Sequence, residues 1–354
     1  MPSINIMKLP RHAEIWLGPY LRDRLRHLVH PRSVRRVWIT IADHFEPLGS
    51  TPSIQAAHRC IDQWRDRLQR IAEDAPRDAG GNRPQYTFFY PAEEYHQDLV
   101  EGIAQMARQG IADVEVHLHH ENDNRSSLCR TLSQFCARLR GDHGLLRERN
   151  GQTRFGFIHG NWALDNSHPD GRSCGVAGEI SLLRDLGCYA DFTMPSLPSP
   201  TQGRVVNRIY WCTSNPNGQP KSFDHGIDAT LGGGRQGDLL MITGPVGMRF
   251  RERLLPRVEN AEIAGYDLPT PGRVRRWFDL APSIGDDLFI KLHTHGAQSR
   301  NLEPLLNGGL EVLFRSIAEL AHARNIELHW ASAWQMYLAI EKLVLGQELR
   351  MSAD

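Results

Sequence analysis

Short runs of β-branched and aromatic residues alternate with helix-patterned stretches along nearly the whole sequence, and few folds accept that rhythm. Residues 37–42, Val-Trp-Ile-Thr-Ile-Ala, are too few and too uniformly apolar for a surface helix; they predict a strand buried on both faces. Beyond the turn-rich 47–52, Ile54, Ala57, Ile61, Trp64, Leu68 and Ile71 recur at helical spacing. The cycle repeats, with further strands predicted at 86–90, 114–118, 155–158, 189–192, 239–242, 289–292 and 326–330. Strands alternating with helices imply parallel βαβ units. The expected fold is therefore α/β, an irregular (β/α) barrel of about seven to eight parallel strands, with 1–354 as a single domain. The Pro- and Gly-rich 195–237 breaks the rhythm and reads as an insertion on the barrel rim, with 1–36 as an N-terminal extension.

Composition narrows the function classes. Hydrophobic residues make up 40% of the chain, enough for a buried core. Lys plus Arg and Asp plus Glu balance at 41 each, so no broad positive field is available to hold a nucleic-acid backbone. The cysteines, Cys60, Cys129, Cys136, Cys174, Cys188 and Cys212, form no Cys-x-x-Cys pair and read as buried free thiols. Residues 1–36 are basic but lack the apolar core of a signal peptide, and no stretch is long enough to span a bilayer. A cytoplasmic protein is the expectation.

The polar residues gather just after the predicted strands. Asp43, His44 and Glu46 follow the first; His117, His119, His120, Glu121 and Asp123 surround the end of the third. His159, Asn161 and Trp162 follow the fourth, Asp191 ends the fifth, and His293 and His295 close a late strand. In parallel α/β folds the strand C-termini converge on one face, where active sites lie. Imidazoles and carboxylates converging there suit zinc or a similar divalent ion. Each residue alone also has a plainer role: a strand-end Asp caps the following helix, and a lone His packs through hydrogen bonds. The stretch from His117 to Asp123 resists that reading, because so many titratable groups are costly to bury without partners. Gly232-Gly233-Gly234 lacks the lysine and strand–helix setting of a phosphate loop and reads as a turn.

The order of these motifs resembles the NodB-type polysaccharide deacetylases of the glycoside hydrolase/deacetylase barrel superfamily. That family opens with a strand of the kind Thr-Phe-Asp-Asp; here Thr40-Ile41-Ala42-Asp43 stands there. Its second strand carries Ala-Thr-Phe-Phe, matched by Tyr86-Thr87-Phe88-Phe89, and its third a His-x-x-x-His stretch, matched by His119 to Asp123 with Asp for the second His. His159-Gly160-Asn161-Trp162, Leu186-Gly187 through Asp191, and Leu292-His293 are similar in position to its later motifs, so the likeness spans roughly 37–296.

The resemblance implies Asp43, His119 and Asp123 as metal ligands, with zinc as the expected ion. It implies His293 or His295 as the acid that protonates the departing amine, Asp191 in the catalytic set, and His159, Asn161 and Trp162 against the substrate. Ala42 replaces the family's usual base; Glu46 and His44 are the available substitutes. The expected function is a metal-dependent, deacetylase-like hydrolase acting on an N-acetylated or otherwise acylated sugar or polysaccharide precursor. Two alternatives stand beside it: a carbohydrate-binding protein of the same fold that has lost catalysis, and a glycosidase using paired carboxylates such as Glu46 and Asp191. Lys221, Asp224, His225, Tyr210, Trp211 and Phe223 suit either a sugar-stacking surface or a loop packed by its own aromatics.

Overall fold

The computed structural model of the chain describes residues 9–349 except 174–175 and 252–254, so Cys174 lies outside the described residues. In chain order the elements begin with α1 (Ala13–Val29), β1 (Arg36–His44), α2 (Pro47–Ser50), α3 (Ile54–Asp74), β2 (Tyr86–Pro91), α4 (Gln97–Arg108) and β3 (Ala112–Leu118). They continue with α5 (Arg125–Gly141), β4 (Arg147–Arg149), β5 (Gln152–His159), α6 (Glu179–Asp185) and β6 (Cys188–Asp191). Then come β7 (Ile209–Cys212), β8 (Ile227–Asp228), β9 (Leu239–Ile242), β10 (Gly247–Arg251), β11 (Leu255–Glu259), α7 (Pro271–Leu280) and β12 (Ser283–Ile284). The last are β13 (Asp287–Thr294), α8 (Ser299–Pro304), α9 (Leu310–Ala323), β14 (Glu327–Trp330) and α10 (Ala333–Val344).

Strand β1 is the hub. One edge pairs along its length with β13; the other is shared, with β14 beside Arg36 to Ile39 and β2 beside Ala42 to His44. From β2 the sheet runs through β3, β5, β6 and β9, all parallel, and then turns antiparallel at β7 and β8. The strands predicted from sequence are these parallel ones. Among the described residues the ladder does not close on itself, so the structure is a large, mostly parallel sheet. It is nonetheless strongly curved. Lys291 on β13 donates to the carbonyls of Phe192 and Met194, at 2.6 and 2.7 Å, just beyond β6. In a flat sheet strands are about 4.8 Å apart, and five such steps would put β6 far outside a lysine's reach.

Period-two alternation sorts each strand's side chains between two cores. Val37, Ile39 and Ile41 of β1 pack with Ile61, Trp64 and Leu68 of α3 and with Ile103 of α4. Trp38 and Ala42 face the other way, among Phe89, Ile158, Phe192, Phe289 and Met336. Helix α3 starts where Ser53 accepts from the Ala56 N–H, and α5 where Asn124 and Ser127 form a reciprocal capping box. Cys60, Cys136, Cys188 and Cys212 are buried free thiols, and Cys129 is half-buried.

The segment 195–237 supplies β7 and β8 to the sheet, so it is more than a rim loop. Its aromatics are enclosed: Tyr210, Trp211 and Phe223 are buried, and the Tyr210 hydroxyl donates to the Phe223 carbonyl. Lys221 donates to the carbonyl of Gln202. The segment thus packs on its own aromatics. Within 1–36, α1 docks Trp16 and Tyr20 against Leu197, Val206, Val246 and Leu280. No helix of the described residues is long and apolar enough to cross a membrane.

Burial pushes the Lys291 amine down from 10.5 to about 7, with Asp191 opposing the shift. A neutral folded amine and a charged unfolded one make stability rise with pH between those values. Lys291→Met should cost about 1–3 kcal/mol by stranding the carbonyls of Phe192 and Met194. In urea titrations the gap between wild type and variant should widen as pH climbs from 7 towards 10.5. A gap that stays constant with pH would show that Lys291 is charged in the folded chain.

Candidate metal centre

Three strands each end in a pair of ligand-type residues two positions apart: His44 and Glu46, His117 and His119, His293 and His295. Two-residue spacing puts both members of a pair on one face while the chain stays extended. Pairing of Ala42 with His293, of His44 with Phe89, and of Phe89 with Glu115 brings these pairs to the same face and the same end of the sheet. The rings touch: His44 and His295 centroids are 4.7 Å apart, His44 and His117 5.1 Å, His117 and His119 4.7 Å.

Glu46 lies at the centre. One of its oxygens is 3.2 Å from His117 Nε2 and 3.6 Å from His119 Nε2. The His117 contact falls outside hydrogen-bond directionality, leaving both nitrogens of this fully buried ring without a partner. Donor atoms about 2.0–2.2 Å from one tetrahedral ion sit roughly 3.3–3.6 Å from each other, so these separations match a shared cation. His119 is further oriented from behind, because its Nδ1 and its backbone N–H both engage Glu93. A carboxylate on the far nitrogen of a ligating imidazole fixes its tautomer and raises its basicity. Gly160 makes room for this ring, since a Cβ there would stand 2.4 Å from His119 Cδ2.

The electrostatics favour ligation. Burial, reinforced by neighbouring imidazoles, holds His44 well below its ordinary range. Burial likewise lowers His117 and His295, although Glu46 pulls both the other way. Burial opposes ionisation of Glu46, but His117, His295 and His119 outweigh it and keep this carboxyl below its usual value. His119 runs the other way: burial opposes its protonation, but Glu93 and Glu46 outweigh burial and raise it. Neutral His44, His117 and His295 beside an ionised Glu46 are protonation states that suit a divalent metal, and binding one would displace any proton on His119. Among the described residues, {Glu46, His117, His119} and {His44, Glu46, His295} each gather their donor atoms within 4.8 Å.

A cavity of about 410 Å³ opens over this cluster, lined by Glu46, His119, Gly160, Asn161, Trp162, His168, Arg172, Ser199, His295 and Gln298. Trp162 holds the left-handed backbone conformation, φ 56°, which a bulky residue rarely adopts, and its ring stands 6.2 Å from His295. A larger cavity of about 670 Å³ beside Tyr20 and Phe250 contains none of these histidines.

The residues expected from sequence divide among several environments. Glu46, His119, His295, Asn161 and Trp162 come together at the cavity. Asp43, His119 and Asp123 do not form one group. Asp43 is one position from His44 and so points to the opposite face. There it accepts from Gly296 N at 2.7 Å and the Tyr86 hydroxyl at 2.8 Å, and burial raises it to about 7. Asp123 accepts from Ser127 Oγ and from Asn124 N at the start of α5. His159 pairs in register with Leu118 and is turned away from the cavity, fully buried beside His120 and Glu179. Asp191 is enclosed too, held by Thr193, so Glu46 and Asp191 do not flank a common space. His293 is buried with Nδ1 unpartnered and does not line the cavity. Of the two expected proton donors, only His295 lines it. Two residues of the cluster, His117 and Glu93, were not among the expected site residues. His117 was detectable from the paired two-residue spacing; Glu93 sits in a short turn after β2 and had no sequence signal.

No protein-family model and no curated protein matches this chain.

Glu93→Gln should weaken binding of a divalent ion by about 10- to 100-fold while leaving the thermal transition nearly unchanged. Competition with a chromophoric chelator measures this. An unaltered affinity would remove Glu93 from the centre.

Proposed function

We propose that the chain is a metal-dependent hydrolase of the deacetylase type, acting on an acylated amino sugar or its polymer. The observation that carries this reading is the Glu46 oxygen set 3.2 and 3.6 Å from His117 Nε2 and His119 Nε2, below an open cavity. Two imidazoles and one carboxylate with a remaining open side form a recurrent catalytic zinc set. We therefore take Glu46, His117 and His119 as the ligands, in place of Asp43, His119 and Asp123. The curved, mostly parallel sheet with its functional residues at strand ends is compatible with the irregular barrel of the NodB type.

A bound ion would polarise an acyl carbonyl and acidify water near neutral pH. The chain's own groups do the rest. Glu93 keeps the His119 ring in one orientation. Trp162 offers an apolar ring face beside His295, suited to a sugar, and Asn161 offers donors and acceptors for hydroxyl or acetamide groups. Arg172 and Gln298 extend the polar lining. Asp43, clamped by Tyr86 and Gly296, positions His44 without itself reaching the cavity. The glycosidase alternative loses support, because Asp191 is enclosed away from Glu46.

Elemental analysis of the purified protein, joined to acetate release from N-acetylated oligosaccharides, tests the reading. His119→Ala and Glu46→Gln should lower bound metal and abolish release, whereas Asp43→Asn should retain metal and lose stability. Wild-type protein that holds no divalent ion, or full release by Glu46→Gln, would defeat it.

A further inference from the structure

The donor atoms around Glu46 fall into two sets. Glu46, His117 and His119 lie within 4.8 Å of one another, as do His44, Glu46 and His295, but the five do not form one such set. Ligands on a single zinc-sized ion sit about 2.0–2.2 Å from it, so no two of them are more than roughly 4.4 Å apart. One ion therefore does not satisfy all five. Glu46 alone belongs to both sets, and a carboxylate has two oxygens, each able to serve a different cation.

We infer that the site holds two divalent cations, the second bound by His44 and His295 and bridged to the first by Glu46. The inference rests on the function proposed above and deepens it. His44 is fully buried with Nδ1 lacking any hydrogen-bond partner, so the fold bears the cost of an unsatisfied imidazole there. Its ring lies 4.7 Å from that of His295, the other member of the set. A neutral imidazole keeps one ring nitrogen unprotonated, with its lone pair free to bind a cation. A cation within reach of the donor atoms of His44, Glu46 and His295 would take up such lone pairs.

Two cations a few ångströms apart would together acidify water and neutralise developing negative charge, with His44, His295 and Glu46 holding the second of them.

Metal stoichiometry decides the matter without reference to turnover. Chelator-stripped full-length protein, reconstituted with Zn²⁺ and desalted, should retain two equivalents per chain. His295→Gln and His44→Gln should each retain one, and His119→Gln should also fall to one. Circular dichroism and thermal melts identify any variant that fails to fold; His295, which lines the cavity, is the variant least exposed to that outcome. One equivalent in wild type, unchanged in His295→Gln but lost in His119→Gln, overturns the second cation and leaves the proposed function standing. Two equivalents that persist in folded His295→Gln also overturn it, placing the second ion elsewhere. No retained zinc in wild type overturns both readings.

Discussion

The carboxylate of Asp43 ties together three distant parts of the chain, and the geometry of the histidine cluster depends on it. One oxygen receives the backbone N–H of Gly296, the other the hydroxyl of Tyr86. Gly296 follows His295, and Asp43 precedes His44. The same two hydrogen bonds therefore fix the last turn of β1, the start of β2 and the exit of β13 relative to one another. No larger side chain is possible at 296, where a Cβ would collide with Asp43 at 2.2 Å and with Trp64 at 2.6 Å. Burial keeps the Asp43 carboxyl near neutrality in its titration, so the clamp is a hydrogen-bonded one more than a fixed charge.

Much of the scaffold was legible in the sequence because the parallel strands are buried on both faces. Uniformly apolar runs such as 37–42 and 239–242 are then the direct signature of their environment. Elements outside that pattern were harder to see. Helix α1 presents Leu21, Leu25 and Leu28 to solvent opposite Trp16 and Tyr20, so no single apolar face marks it. Strand β7 sits inside a Pro- and Gly-rich stretch whose composition signals loop, yet Ile209 to Cys212 pair antiparallel with β9. Whether the ladder closes depends on strand-to-strand distance, which composition does not encode.

The site was legible in part for a related reason. Glu46, His119, His295, Asn161 and Trp162 line one cavity because they follow strand ends, and strand ends share one face of the sheet. Asp43 and Asp123 were drawn in by a motif whose spacing matches, but alternation decides where a side chain points. Asp43 belongs with Val37, Ile39 and Ile41 on the helix-facing side. His44 belongs with Trp38 and Ala42. Motif order and strand parity gave different answers, and parity prevailed because it follows from backbone geometry.

That same parity makes the first strand unusually sensitive to length. Between Ala42 and Phe45 each neighbour has an opposite duty: one side chain locks the scaffold and the next faces the buried histidine cluster. Deleting or inserting one residue upstream within β1 would exchange the two, burying an imidazole against Trp64 and Tyr86 while turning a carboxylate towards His117 and His295. A change of chain length that a loop would absorb without effect would here rewrite the chemistry of the cluster in a single step.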